Sequence, residues 1–305
     1  MSTESQPAGT QPRRRYTRRQ LLVRLLGGGL VTGCTGAGMA AYARHVEPFW
    51  PAVTHVPMDF PNLGESLHGL RVLQLSDLHL SSTVPEDYLR REIAHAAASR
   101  PDLILLTGDY ITAGRRRWID RLGHVLDGMQ ARLGIFAVLG NHDFGVYQPH
   151  RVQRGTVIAD IVEEALAAIG IVVLRNRSHV IRTTEHPLQL VGVDDLWSGF
   201  CDPDAAFAQV NPDLPTIALA HNPDTVPQLR SRPCHWILCG HTHGGQVRIP
   251  LLGAPVLPIE NREYDAGLFE LGAQRLYVNR GLGCLHQVRF DCRPEITVFT
   301  MVPRV

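Results

Sequence analysis

The chain has 305 residues, with 30 basic and 29 acidic side chains, and every basic residue is arginine. The absence of lysine excludes P-loop nucleotide binding, Schiff-base chemistry and lysine general bases. The near-balanced charge leaves no basic nucleic-acid footprint, and the length admits one large domain or two small ones.

At the N-terminus the charge is unevenly placed. Residues 1–50 hold seven arginines against Glu4 and Glu47, a local +5 in a chain of net +1, which leaves −4 on the rest. Arg13-Arg14-Arg15 and Thr17-Arg18-Arg19-Gln20-Leu21-Leu22 precede an apolar, glycine-rich run from Leu21 to Ala43 that Arg24 interrupts and Ala41-Tyr42-Ala43 closes. A basic start, an apolar segment and a small-residue site predict an export signal. Its Thr-Arg-Arg-x-Leu-Leu pattern resembles the twin-arginine type, which implies the twin-arginine export machinery as a partner and the cell envelope as destination, periplasm or outer membrane face. Three fates stay open: cleavage, retention of residues 21–43 as a membrane anchor, or acylation at Cys34 of Val31-Thr32-Gly33-Cys34. The expected organisation is residues 1–44 as signal or anchor, 45–69 as proline-rich linker and domain start, and 70–305 as the functional domain. Beyond Cys34 stand Cys201, Cys234, Cys239, Cys284 and Cys292. An odd number without CxxC spacing predicts buried thiols with room for one bridge.

From residue 70 a rhythm sets in. Leu70 to Leu75 predicts a strand ending in Ser76-Asp77-Leu78-His79, and Glu86 to Ser99 a helix with Leu89, Ile93 and Ala97 on one face. Leu103-Ile104-Leu105-Leu106 is a continuously apolar strand ending in Thr107-Gly108-Asp109-Tyr110, followed by a helix near Trp118 to Met129. Ile135 to Leu139 ends in Gly140-Asn141-His142-Asp143, and a helix over about Val157 to Ile169 leads to Ile171-Val172-Val173-Leu174. Apolar strands separated by helices indicate a parallel α/β sheet, whose ligands sit beyond the carboxyl ends of the strands. The second half predicts a mixed sheet: a strand pair within His179 to Trp197, Thr216 to Ala220 ending at His221, Trp236 to Leu238 leading into Cys239-Gly240-His241-Thr242-His243-Gly244-Gly245, then Leu268 to Leu271, Leu276 to Asn279 and Glu295 to Met301. The fold class expected is α/β, a four-layer αββα sandwich of two mixed sheets flanked by helices.

The strand-end groups are Asp77, His79, Asp109, Asn141, His142, His221, His241 and His243: two carboxylates, one amide and five imidazoles. Bringing such groups together is costly without positive charge between them. Oxygen and nitrogen donors without thiolate suit Mn²⁺, with Fe or Zn²⁺ as alternatives, and eight groups exceed the needs of one ion. Two divalent ions so held suit phosphate-ester hydrolysis.

Asp-x-His, Gly-Asp, Gly-Asn-His-Asp, a lone His after a strand and Gly-His-x-His occur here in the order of the calcineurin-like metallophosphoesterases, which this chain resembles over about residues 70–300. The strings Ser-Asp-Leu-His, His-Asn-Pro-Asp and Gly-His-Thr-His-Gly-Gly-Gln resemble its exported or membrane-associated bacterial branch and, more distantly, UDP-diacylglucosamine pyrophosphohydrolases. The resemblance implies that Asp77, His79 and His243 hold one ion, that Asn141, His221 and His241 hold the other, and that Asp109 bridges them. It also implies that a metal-bridging hydroxide attacks phosphorus and that His142, oriented by Asp77 or Asp143, protonates the leaving oxygen or steadies the transition state. The expected activity is hydrolysis of phosphate mono- or diesters or pyrophosphates on a lipid or envelope-derived substrate. The alternatives are a membrane-anchored UDP-lipid pyrophosphohydrolase facing the cytoplasm and an inactive envelope binding protein.

Weaker features complete the reading. Arg115-Arg116-Arg117 reads as a solvated helix start, with contact to a substrate phosphate as the alternative, and Asp194-Asp195 reads as structural. Ile249 to Ile259 reads as a core-covering loop, with an apolar rim that touches lipid as the alternative. Asn279 to Gly283 reads as a glycine turn supporting the site, with Arg289 and Arg293 orienting the final strand.

Overall fold

Leu103-Ile104-Leu105-Leu106 is apolar on both faces of a strand and therefore needs cover above and below. The computed structural model, which describes residues 36–149, 156–183 and 185–304, supplies it. The chain divides into two compact units, Met1–Tyr42 and Ala43–Val305. In the first, residues 36–42 are helical. The arginine-rich stretch, the Cys34 box and most of the apolar run lie outside the described residues. Among the described residues, no helix is long and apolar enough to cross a membrane.

Two six-stranded sheets build the second unit. The first runs β1 (Ala52–Phe60), β12 (Glu295–Pro303), β2 (Arg71–Leu75), β3 (Leu103–Thr107), β4 (Ile135–Val138), β5 (Val172–Val173). Strands β2 to β5 are parallel, while β12 is antiparallel to β2 and parallel to β1. The second sheet runs β10 (Gly267–Leu271), β11 (Gln274–Val278), β9 (Trp236–Cys239), β8 (Thr216–Leu219), β7 (Leu188–Gly192), β6 (Arg177–Ile181). Its four central strands are parallel and both edges antiparallel.

The period-two alternation of strand side chains sorts the core into layers. Leu103 and Leu105 join Phe60, Phe136, Leu190, Leu219, Trp236 and Phe299 between the sheets. Ile104 and Leu106 face the other way, onto Leu89 and Ile93 of α1 (Glu86–Ala97) and Val162 and Leu166 of α4 (Val157–Ala167). Beyond the second sheet, Val191, Ala218 and Ile237 pack with Ala206 of α5 (Pro203–Phe207) and Leu229 of α6 (Val226–Leu229). The result is a four-layer αββα sandwich. Gln74 ties the two sheets at one end: its Nε2 donates to Thr107 Oγ1 at 3.0 Å and to the Cys239 carbonyl at 2.9 Å.

Three local expectations are corrected. The stretch read as linker contains β1, whose Val56, Met58 and Phe60 are buried in alternation. Its Pro57 is tolerated because β1 is an edge strand. The helix expected near Trp118 to Met129 is two single turns, α2 (Arg116–Ile119) and α3 (Leu122–Val125); Gly123 weakens a helix there, and Gly128 turns the chain with φ +84°. All five described cysteines are free, so no bridge forms among them.

Candidate metal centre

The polar clusters at the carboxyl ends of β2, β3, β4, β8 and β9 converge at one place, drawn from both sheets. The backbone is forced into that convergence. Asp77, His79, Asp109, His241 and His243 all have positive φ, between 49° and 69°, in a region that costs a non-glycine residue on the order of 1 kcal/mol and persists only where surrounding contacts hold it. Those contacts are present: Asp77 N donates to the Gly108 carbonyl at 2.9 Å, His79 N to that of Asp109 at 3.0 Å, and Gly240 N to that of His221 at 2.9 Å. Glycine is required where loop backbone meets carboxylate. A Cβ at Gly140 would stand 2.2 Å from Asp109 Oδ1, and one at Gly240 2.3 Å from Asp77 Oδ2.

Asp77, His79 and His243 form one set of donor atoms close enough to share an ion, and Asp109, His221 and His241 another. In the first, His243 Nε2 lies 3.3 Å from Asp77 Oδ1 and 3.0 Å from His79 Nε2. In the second, His221 Nε2 lies 3.2 Å from Asp109 Oδ2 and 3.2 Å from His241 Nδ1. Asp109 Oδ2 is also 3.4 Å from His79 Nε2, which puts this carboxylate between the sets. The remaining nitrogens are fixed from behind: His221 Nδ1 meets the Thr107 carbonyl at 2.7 Å and His241 Nε2 that of Pro258 at 3.0 Å. A ring nitrogen donating to a carbonyl leaves the opposite nitrogen as a lone-pair donor, the arrangement a metal requires.

Asn141 completes the picture. Its Nδ2 donates to the Val146 carbonyl at 2.6 Å, while its Oδ1 is buried with no partner. Buried polar atoms are rarely left so, because losing water without a replacement costs about 1–3 kcal/mol. His142, the eighth residue, groups with His79 and Asp109. Its Nδ1 lies 2.6 Å from the Thr112 carbonyl, and its ring meets Tyr147 at 5.0 Å.

Burial governs the protonation of the cluster. It pushes the Asp77 carboxyl up to about 7, against the opposing field of His221. It pushes His241 down to about 3 and His79 and His243 well below their ordinary range. For Asp109, burial is outweighed by His221, His142 and His79, which hold the carboxyl low; the same ion pair holds His221 high against burial. Largely neutral imidazoles around two carboxylates and an unpartnered amide oxygen suit two divalent metal ions.

Seven of the eight residues expected from the sequence therefore share donor sets, and Asn141, at the end of β4, offers a buried oxygen without a partner. The expected orientation of His142 by Asp77 or Asp143 is corrected. Asp143 accepts from Tyr110 N at 3.0 Å, Asp109 N at 2.8 Å and Gly140 N at 2.9 Å, and Asp77 accepts from His241 N. The Thr112 carbonyl holds His142 instead, a main-chain role that leaves no signature in residue identity. Trp197, whose ring lies 4.6 Å from that of His241, and Tyr147 also carried no motif.

Of the weaker features, Asp194 pairs with Arg175 at 2.8 Å, and Asp195 Oδ1 accepts from Trp197 N and Ser198 N, so both are structural. Arg116 pairs with exposed Asp120, and Arg117 stacks on Trp118. Asn279 supports the glycine turn by accepting from Gly281 N at 2.7 Å. Arg289 is fully buried, donates to the carbonyls of Arg280, Gly283 and Cys292, and lies 3.3 Å from His243 Nδ1. Arg293 donates to the carbonyls of Trp50 and Pro51, at the entry to β1.

The family model "Calcineurin-like phosphoesterase" matches residues 70–245. Phosphodiesterase YaeI of Escherichia coli is 37% identical, covering 92% of this chain and 98% of that protein. UDP-2,3-diacylglucosamine pyrophosphatase LpxG of Chlamydia trachomatis is 32% identical over 84% of this chain and 90% of its own length. The metallophosphoesterase YkuE of Bacillus subtilis is 31% identical over 94% and 98%.

Proposed function

This chain belongs to the calcineurin-like phosphoesterase family and is a metal-dependent hydrolase, and we propose that it cleaves phosphate mono- or diesters or pyrophosphates. Asp77, His79 and His243 would hold one divalent cation and Asn141, His221 and His241 the other, with Asp109 shared. The observation that carries this reading is the placement of Asp109 Oδ2 between His79 and His221, at 3.4 and 3.2 Å. Two cations held there would supply an activated water and neutralise charge on the phosphoryl oxygens. The donor set, free of thiolate, is compatible with Mn²⁺, Fe or Zn²⁺, and Mn²⁺ is the metal we propose.

The chain's own part in the chemistry falls to His142. Its Nδ1–H is occupied by the Thr112 carbonyl, which leaves Nε2 to carry the proton. As the bond from phosphorus to the leaving oxygen breaks, that proton passes to the oxygen and the imidazolium becomes neutral. Asp109 Oδ1 accepts from His142 N at 2.9 Å, so one carboxylate ties the acid's backbone to both donor sets.

The basic, apolar N-terminal pattern supports export to the cell envelope, with residues 21–43 retained as an anchor or removed. A second reading, a UDP-lipid pyrophosphohydrolase facing the cytoplasm, is favoured by the similarity to the chlamydial pyrophosphatase. The full chain with Mn²⁺ is assayed against p-nitrophenyl phosphate, bis-p-nitrophenyl phosphate and UDP-2,3-diacylglucosamine, and a reporter fused at the C-terminus reads sidedness. Turnover of at least one ester, abolished by Asp109→Ala and His243→Ala, is expected. A fully metallated protein inert on all three would leave an envelope binding protein.

A further inference from the structure

Beside the proposed metal centre lies a second, chemically different space. A pocket of about 390 Å³ is lined by Val247, Pro255, Val256, Pro258, Leu285 and Val288, together with Thr242, Gly245 and Gln246 and the two histidines His243 and His286. Its volume is within the range of small-molecule sites, roughly 300–1,000 Å³.

Two of its polar side chains, Gln246 and Thr242, are already engaged. Gln246 Nε2 donates to the carbonyls of His286 and Val288, both at 2.8 Å, and its Oε1 accepts from Leu285 N at 3.0 Å. Thr242 Oγ1 donates to the Asp265 carbonyl at 2.6 Å and accepts from Gly244 N at 3.1 Å. Apart from the imidazoles of His243 and His286, what these walls offer a ligand is therefore apolar: prolines, valines and a leucine. The space is also continuous with the catalytic groups. His243 belongs to the first donor set, and Pro258 is the residue whose carbonyl fixes His241.

The loop that forms one wall carries apolar groups outward as well. Ile249 and Gly253 exchange two backbone hydrogen bonds, each 2.9 Å, which close the loop tip. At that tip Leu251 is fully exposed and adopts φ 69°, and Leu252 is 80% exposed. A leucine held in the left-handed region and out in water is costly twice over. Ala254 and Ile259 are buried, so the expectation of a core-covering loop holds for these two residues and fails for the tip.

We propose that this pocket receives the alkyl chain of an amphiphilic phosphoester, so that the substrate is a lipid whose phosphorus lies at the metal centre and whose chain runs along Val256 and Val288. The proposal rests on the hydrolase reading and names its substrate class. The exposed Leu251 and Leu252 give the same loop an apolar tip suited to contact with a lipid layer.

The test uses the full chain loaded with Mn²⁺. Binding of ethyl phosphate and dodecyl phosphate is measured by calorimetry, and turnover is followed on ethyl, hexyl and dodecyl p-nitrophenyl phosphate. Affinity and kcat/KM should rise with chain length, by about three- to fourfold for each methylene fully buried. In Val256→Asp, and more mildly in Val256→Ser, the dodecyl-to-ethyl ratio should fall toward one; Val256 is 73% exposed, so neither change threatens the fold. Equal binding of the two phosphates by the wild type overturns the proposal, as does a chain-length gain that Val256→Asp leaves intact. A gain in binding lost in Val256→Asp, with no ester turned over, keeps the pocket and defeats the hydrolase reading instead.

Discussion

Thr112 holds His142 by its main-chain oxygen, 2.6 Å from Nδ1, while its Oγ1 donates to the His79 carbonyl at 3.1 Å. One residue thus sets both the acid and a metal-set histidine, and the acid is held by a neutral carbonyl where a carboxylate was expected. His142→Gln should therefore lower turnover by about 10²- to 10⁴-fold while metal content stays near two per chain. Metal analysis of the purified variant checks this, and a metal loss parallel to the rate loss would make His142 a ligand.

The unpartnered Asn141 Oδ1 makes a complementary prediction. Asn141→Ala removes an oxygen that satisfies nothing without a cation, together with one hydrogen bond to Val146 worth about 1 kcal/mol. Thermal stability in EDTA should fall only by that modest amount, whereas bound metal should drop from two ions toward one. Retention of both ions would show that the amide serves the fold alone.

Legibility followed chemistry. The site could be read because each ligand type is rare at a strand end and the five motifs recur in order, and the strand rhythm placed their ends together. Thr112, Pro258 and Trp197 could not be read: two act through main-chain carbonyls and the third through a ring edge, none tied to a motif. Strand β1 was hidden by Pro57 within it and Pro51 and Pro61 at its flanks, since proline weighs against a central strand but not an edge one. The two broken turns at Arg116 to Val125 were hidden by apolar spacing that Gly123 could not sustain as a helix.

In the metal-free protein Asp195 makes a contribution to stability that falls with rising pH, opposite in sign to that of the depressed histidines His79, His241 and His243. Burial pushes its carboxyl up to about 7, with His221 opposing, and Oδ2 has no partner. The unfolded value is about 3.9. Between the two the folded state holds a proton that the unfolded state has lost, so this contribution is complete below about pH 4 and is lost as pH rises through the folded value, at up to about 1.4 kcal/mol per unit. Asp195→Asn keeps an oxygen for the N–H groups of Trp197 and Ser198 and removes the titration. Melting curves in EDTA from pH 5 to 8 should show the variant gaining on the wild type as pH rises. EDTA matters because bound cations would themselves pull the carboxyl down. A constant difference would mean that Asp195 is ionised throughout.

Gly240 tests whether the strained loops serve the metal centre or only the fold. A Cβ there would meet Ser76 Oγ at 1.9 Å and Asp77 Oδ2 at 2.3 Å, and the neighbouring His241 N is what the Asp77 carboxylate accepts from, at 3.1 Å. Gly240→Ala must therefore push the two strand ends apart, at a cost of about 1–3 kcal/mol for overpacking. The displaced Asp77 carboxylate would no longer meet His243 Nε2 at 3.3 Å. The expected outcome is a lowered melting temperature together with loss of the ion held by Asp77, His79 and His243, and turnover reduced by at least tenfold. Asp77→Asn is the control, since it leaves the space unchanged and removes the charge. If Gly240→Ala melts lower but binds metal and turns over as the wild type does, the close approach of β2 and β9 is a packing feature alone.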